Sequence, residues 1–173
     1  MSSEVNMDVN QLLKENLTSI KLNILVFGPQ VHTLSTDIDI RNLQNKRMEI
    51  RQELESRGHY VKYAEDLVLP EVNSFIQEKI IMNEFDFIVV ILGQPGATVE
   101  AAMIANKTEL SRKSSLYLNE EYKDGLVSEM CEAAQMLGAF YSTFKAPEDL
   151  VECHLLGSVM KKVKEIQFAK LTG

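Results

Sequence analysis

The sequence is poor in the residues that build metal sites and disulfide frameworks. It has no tryptophan, two cysteines, three histidines and four prolines among 173 residues. Cys131 and Cys153 lie far apart and form no metal or redox spacing. We therefore expect no zinc site and no other cofactor, and we expect both thiols to be buried in a reducing compartment.

Basic residues are also scarce. Lysine and arginine number 18 against 25 acidic residues, which gives a net charge of −7. Nucleic-acid and anionic-membrane surfaces need basic patches, so neither is expected as the main ligand. The N-terminus lacks the basic and apolar regions of a signal peptide, and no apolar run is long enough to span a bilayer. These absences predict a cytoplasmic protein.

The chain alternates between two hydrophobic periods. Short apolar runs predict strands at residues 21–27, 59–63, 85–92, 115–118 and 139–144. Helical spacing predicts helices at residues 40–57, 70–83, from 96–98 onward, 126–137 and from 147 towards 170. Repeated strand–helix units predict a doubly wound α/β domain over residues 21–173, with a five-stranded parallel sheet and helices on both faces, Rossmann-like or flavodoxin-like.

Local signals define the expected helices more closely. Thr36 and Asp39 fit a capping box before the helix of residues 40–57, and Gly58 supplies its stop. The expected inward stripes are Ile40, Leu43, Ile50 and Leu54; then Val72, Phe75, Ile76 and Ile80; and finally Val151, Leu155, Val159, Val163 and Ile166. Residues 1–20 form an amphipathic arm that caps the domain or holds a partner subunit.

Ligands of doubly wound sheets bind at the carboxyl ends of strands, near the switch point of strand order. This rule selects the loops after Phe27, Tyr63 and Leu92. Glu100 follows the third loop, in the first turn of a helix rich in small residues. Acids are favoured there by the helix dipole alone. The same position also suits a carboxylate that stabilises an anomeric carbon gaining positive charge.

Two further residues could act with Glu100. Glu78 flanks the apolar stripe of the preceding helix, where it is either a solvated acid or the second carboxylate of an acid/base pair. Arg47 falls within the apolar stripe of residues 40–57, so it must snorkel or pair with an anion. A substrate phosphate or Glu100 would serve, whereas Lys46 and Arg51 look like surface charges.

The loop of residues 29–38 is long for this fold, and long loops often cover ligands. His32 in that loop is either solvated or placed to touch a base. Asp66 follows the second strand, where an acid can bind ribose hydroxyls or simply form a turn. Asp86 begins the central strand away from the predicted site and is expected to be structural. No glycine-rich dinucleotide motif or Walker lysine follows the first strand.

Taken together, these motifs resemble the nucleoside 2-deoxyribosyltransferase-like superfamily, which includes nucleotide N-glycosidases and effectors of retron anti-phage systems. The resemblance spans roughly residues 21–110. Its features are the strand ending Phe27-Gly28-Pro29, Arg47, Gly58, the segment of residues 63–67, Glu78, Asp86, and the segment Gly96-Ala97-Thr98-Val99-Glu100.

The resemblance implies that Glu100 is the catalytic nucleophile or stabiliser and that Glu78 assists it. It implies that the substrate is bound through Gly28, Pro29, Arg47, Asp66, Gly96, Ala97 and Thr98. Transferases of this family carry an aspartate where this chain has Gln94, which favours hydrolysis over transfer. The family also implies a homo-oligomer that completes or covers the site.

We therefore expect an N-glycosidase that cleaves the ribose–base bond of a nucleoside monophosphate or of NAD, and the resemblance implies an anti-phage or nucleotide-clearing role. The alternatives are a catalytically inactive nucleotide-binding sensor or adaptor, a nucleoside deoxyribosyltransferase, and a pure interaction subunit.

Overall fold

Strands and helices alternate along the chain, as the two hydrophobic periods predict. The structure is a computed structural model that describes residues 9–69, 73–93, 98–152 and 154–173. The strands are β1 (Asn23–Phe27), β2 (Tyr60–Tyr63), β3 (Phe87–Leu92), β4 (Ser114–Asn119) and β5 (Phe140–Phe144). The helices are α1 (Val9–Ser19), α2 (Ile38–Ser56), α3 (Ser74–Glu84), α4 (Thr98–Ala105), α5 (Thr108–Arg112), α6 (Leu126–Met136), α7 (Glu148–Val151) and α8 (His154–Thr172).

The five strands form one parallel sheet in the order β2-β1-β3-β4-β5. Val26 of β1 pairs with Tyr63 of β2 on one side and with Val89 of β3 on the other. This is the flavodoxin-like order of a doubly wound fold, whose switch point lies between β1 and β3. The predicted fold class is confirmed.

The sheet buries both of its faces. Every residue of β3 and of β4 is buried, because helices cover the two faces of these strands. One face packs against α2 and α8, with Leu54 and Val159 among its buried residues. The opposite face packs against α3, α4, α5 and α6, and includes Met82.

Helix α2 begins one residue away from the predicted cap. Asp37, rather than Thr36, is its N-cap, and its side chain accepts hydrogen bonds from the N–H groups of Asp39 and Ile40. The predicted capping box is therefore wrong. Gly58 follows the helix with φ +83°, a conformation that favours glycine, so the predicted stop is correct.

Two predicted stripes differ from the structure. Ile76 and Ile80 of α3 are exposed, while Met82 of that helix is buried. Val72 and the side chain of Phe75 lie outside the described residues. The expected last helix is two helices, α7 and α8, and Val151 at the end of α7 is exposed rather than inward.

The N-terminal arm contains α1, which packs against α8. Just after α1, the carbonyl of Ile20 accepts a hydrogen bond from Gln167 Nε2 of α8 at 2.8 Å. The arm is thus attached to the helix that ends the domain. Within the described residues, no helix combines the length and apolar character needed to cross a membrane.

Candidate functional site

The three loops selected from the sequence follow three adjacent strands. Because β1 lies between β2 and β3, the loops after Phe27, Tyr63 and Leu92 leave the same edge of the sheet side by side. Helix α2 crosses this edge and contributes Leu43 and Arg47. The candidate site is therefore built at the switch point of strand order.

Arg47 is one of the largest fully buried side chains of the protein, with 0% of its surface exposed. Its guanidinium forms two hydrogen bonds of 2.6 Å to the two carboxylate oxygens of Glu65. It also donates to the carbonyls of Val26, Gly28 and Pro29. A charge this deeply buried needs such partners, since desolvation would otherwise cost several kcal/mol, on the order of 3–5.

Sequence reasoning proposed a substrate phosphate or Glu100 as the anion beside Arg47. Glu65 is that anion in the structure, and it follows directly after β2. The carbonyls of Gly28 and Pro29 point to Arg47, so these two predicted substrate contacts are used internally through their carbonyl oxygens. Gly28 has φ +153°, and a Cβ there would lie 3.2 Å from Arg47 Cδ. The glycine thus allows the arginine to pass close to the backbone.

Tyr63 contacts both the buried Arg47 and the more exposed Arg51. Its ring lies between two guanidinium groups, with Arg47 Cζ 4.4 Å and Arg51 Cζ 4.6 Å from the ring centroid. Arg51 also contacts Asp66 at 3.6 Å, and His32 Nε2 lies 2.9 Å from a carboxylate oxygen of Asp66. Arg51 is therefore part of this cluster rather than the plain surface charge expected from the sequence.

Asp66 thus holds the long loop in place through His32. The same loop is fastened by Gln44 of α2, whose side chain accepts from Ser35 N and donates to the carbonyls of Gln30 and Thr33. Gln44 is 2% exposed. The loop over this edge is consequently bound to α2 at several points.

Glu100 lies in the first turn of α4, immediately beyond the end of β3. Its Oε2 atom is buried and has no hydrogen-bond partner among the described residues. Burial raises the pKa of the Glu100 carboxyl, while a hydrogen bond from its own backbone N–H and the charge of Arg47 oppose that rise. A buried carboxylate oxygen without a partner is costly, which is a common feature of functional sites.

Glu78 of α3 lies within electrostatic reach of Glu100. Burial raises the pKa of Glu78, and the negative charge of Glu100 raises it further. Glu78 itself is half-buried rather than fully solvated. The structure therefore brings Glu100 within electrostatic reach of both Arg47 and Glu78, which lie 53 and 22 positions before it in the chain.

The other predicted substrate contacts belong to the segment from the end of β3 to the first residue of α4. Gly96 and Ala97 lie outside the described residues, as does Gln94. Thr98 is the first residue of α4, and its predicted phosphate contact stays a prediction.

A cleft of about 550 Å³ opens at the same edge of the sheet. Leu43 and Gly93 form part of its wall, and Arg47 lies one helical turn beyond Leu43. Its described lining residues also include Asp37, Asp39 and Glu121, and none of them is a lysine or arginine. Such a lining suits sugar hydroxyls or a cationic base better than a phosphate group.

Sequence reasoning missed Glu65, Gln44 and Gly93. Glu65 had a detectable signal, because a buried arginine requires a carboxylate and Glu65 follows a strand at the same edge. Gly93 had none, since its role depends on contact with Leu43: a Cβ there would lie 2.2 Å from Leu43 Cδ1.

Comparison with known proteins provides no family. No protein-family model matches the chain, and no curated protein matches it significantly. Among the described residues, no group of three His, Cys, Asp or Glu side chains could hold a metal ion.

Proposed function

We propose that this protein is an N-glycosidase that cleaves the bond between ribose and base in a nucleoside monophosphate or NAD. The observation that carries the proposal is the buried Oε2 of Glu100, which has no hydrogen-bond partner among the described residues. A carboxylate held in that state is suited to stabilise a ribose carbon as positive charge develops on it.

The charges around the two glutamates support different roles for them. Burial raises the pKa of both carboxyl groups; the charge of Arg47 opposes the rise at Glu100, whereas the charge of Glu100 adds to the rise at Glu78. Glu100 would therefore act as the nucleophile or charge stabiliser, and Glu78 as the general acid. Paired carboxylates with separate environments divide the work in this way in glycoside chemistry.

The proposed reaction breaks the C1′–N bond, and its electron pair leaves with the base. For a nucleoside monophosphate, Glu78 gives its proton to the departing base, and Glu100 stabilises the ribosyl cation or forms a bond to C1′. Water then supplies hydroxide to C1′, which breaks any bond between C1′ and Glu100, and the remaining proton of the water returns to Glu78. Nicotinamide leaves NAD without taking a proton, so with NAD Glu78 keeps its proton and the remaining proton of the water goes to solvent. The products are the free base and the ribosyl moiety with a hydroxyl group at C1′.

Arg47 has a positioning role in this proposal. It is fully buried and occupied by Glu65 and backbone carbonyls, so it fixes the ends of β1 and β2 around the site. Phosphate binding is assigned to the backbone amides of residues 96–98, as the resemblance implies. The same resemblance extends the proposal to a homo-oligomeric, cytoplasmic protein with a role in anti-phage defence.

The test is to incubate the protein with NAD and with each common nucleoside monophosphate and to measure free base by chromatography. Glu100→Gln should reduce base release to background. Glu109→Gln, which changes an exposed glutamate of α5, should leave the rate unchanged and serves as the matched control.

The rate of base release by Glu78→Gln should differ between nucleoside monophosphates and NAD. Loss of a general acid should slow release of a base that needs a proton by about 10²–10⁴-fold. Nicotinamide leaves NAD as a neutral molecule, so its release should be slowed much less. No base release from any nucleotide, or release that Glu100→Gln leaves unchanged, would exclude the glycosidase. Equal thermal stabilisation of the protein and of Glu100→Gln by a nucleotide, without turnover, would instead identify a nucleotide-binding sensor.

A further inference from the structure

A second cavity lies at the opposite edge of the sheet from the candidate site. Its volume is about 390 Å³, within the range of small-molecule pockets. It lies between α1, the end of α2, the segment entering β2, and α8. Leu17, Met160 and Val163 give it an apolar wall.

Basic side chains surround this apolar wall. Lys14, Arg57 and Lys164 line the cavity, and no acidic residue of residues 9–69, 73–93, 98–152 and 154–173 does. Arg57 is neutralised by Glu53, with the shorter contact at 2.6 Å. Lys14 and Lys164 form no ion pair with any described residue, although the chain as a whole has a net charge of −7. Two positive charges that form no ion pair within the described part of the chain therefore line an apolar cavity.

His59 adds a hydrogen-bond donor rather than a charge. Its Nδ1 accepts a hydrogen bond from Leu22 N at 3.2 Å, so the ring proton of the neutral imidazole lies on Nε2. Burial lowers the pKa of His59, and the nearby charges of Lys21 and Arg57 lower it further. The ring lines the cavity as a neutral donor.

Lys21 neutralises the partial negative charge at the carboxyl ends of α1 and α2, which would otherwise repel an anion. Its Nζ donates to the carbonyl of Thr18 at 2.8 Å and to the carbonyl of Arg57 at 2.9 Å. These carbonyls belong to the carboxyl ends of α1 and α2, which carry partial negative charge. The cavity therefore keeps a net attraction for anions.

We propose that this cavity binds a small amphiphilic carboxylate, with its apolar body against Leu17, Met160 and Val163. Its carboxylate is held by Lys14, Lys164 and the Nε2–H of His59. Apolar burial supplies the affinity, and the charged contacts select the head group. This site is independent of Glu100 and of the proposed glycosidase reaction.

Titration calorimetry on the full chain with decanoate tests the proposal. Decanoate should bind with one site per chain, whereas decanol and decyltrimethylammonium, which have the same chain length, should bind at least about tenfold more weakly. Equal binding of the three probes, or no binding of decanoate, would overturn the proposal.

Charge-reversal variants locate the site. Lys164→Glu and Lys14→Glu should each weaken decanoate binding about tenfold or more, since each removes a charge-assisted contact and adds repulsion. Lys161→Glu makes the same charge change on the exposed surface of α8, outside the cavity lining, and should leave binding unchanged. Equal weakening by all three variants would overturn the assigned site.

The carboxylate amphiphile could be a free molecule or part of a lipid surface. Flotation with phosphatidylserine vesicles separates these sources. The proposal expects no stable association with vesicles and full binding of dissolved decanoate. Association with vesicles but not with decanoate would overturn it.

Discussion

The carboxyl group of Glu100 shows how one buried atom can dominate a site. Its Oε2 is inaccessible to solvent and has no partner among the described residues, whereas a first-turn acid on a helix is normally solvated. The helix dipole alone therefore does not explain this side chain. Burial raises the pKa of this carboxyl, and the charge of Arg47 opposes the rise.

The raised pKa of Glu100 predicts a dependence of stability on pH. The native state binds the proton more tightly than the unfolded state, so stability falls as pH rises from the ordinary glutamate pKa to the raised native value. Glu100→Gln removes this titration. We expect the variant to melt at a higher temperature than the parent near neutral pH, with the difference vanishing at about pH 4, below the ordinary glutamate pKa.

Calorimetric melts across this pH range measure the difference, with Glu109→Gln as the control that should show none. A melting difference between Glu100→Gln and the parent that is the same at every pH would contradict the assigned burial of the carboxylate.

Gly93 is required by packing rather than by backbone conformation. A Cβ at this position would lie 2.2 Å from Leu43 Cδ1, and Leu43 is itself buried. Gly93→Ala should therefore destabilise the fold by about 1–3 kcal/mol, the usual cost of overpacking. Gly157→Ala is the matched control, because nothing lies within 4 Å of the added Cβ. It should stabilise α8 by about 0.5–1 kcal/mol.

Urea denaturation measures both changes. Leu43→Ala alone should cost about 2–5 kcal/mol, but combined with Gly93→Ala it should cost less than the sum, because the clash disappears. Strict additivity would contradict the predicted contact.

At the scale of elements, the Arg47–Glu65 pair joins α2 to the ends of β1 and β2. The guanidinium is wholly buried, and its carbonyl partners alone leave its charge without a counter-ion. Glu65→Ala should therefore destabilise the protein by about 3–5 kcal/mol. The control is Glu55→Ala, which breaks the exposed pair with Arg51 and should cost less than about 1 kcal/mol.

Denaturant unfolding of the two variants provides the comparison. Similar small losses in both would show that the Arg47–Glu65 pair is dispensable for stability. Glu65→Gln keeps one hydrogen-bonding oxygen and should fall between the parent and Glu65→Ala.

At the level of single elements, the sequence predicted the strands and most of the helices, because the apolar runs of the strands form a clear pattern. β3 is apolar at every position, and a strand buried on both faces has that pattern. The α3 stripe was misjudged because Ile76 and Ile80 are apolar but exposed, and helical spacing does not reveal which face meets the sheet. The break between α7 and α8 likewise had no clear helix-stop signal in the sequence.

For the whole molecule, the two edges of the sheet differ in charge. Glu78, Glu100 and the acidic cleft lie at the carboxyl edge of the strands, whereas Lys14 and Lys164 line a cavity at the other edge. The net charge of −7 is an average over these two environments. The average charge therefore does not reveal the basic lining of this cavity.

The sequence by itself determined the alternation of strands and helices, the parallel sheet and the edge at which Glu100 lies, because these depend on local periodicity and chain order. It also indicated that Arg47 needs an anion. Only the tertiary structure decided that Glu65 is that anion, that Gly93 makes room for Leu43, and that Glu78 lies within reach of Glu100. Those facts depend on distances between segments that are far apart in the chain. The packing of the helices on the sheet sets these distances, and the local sequence does not encode them.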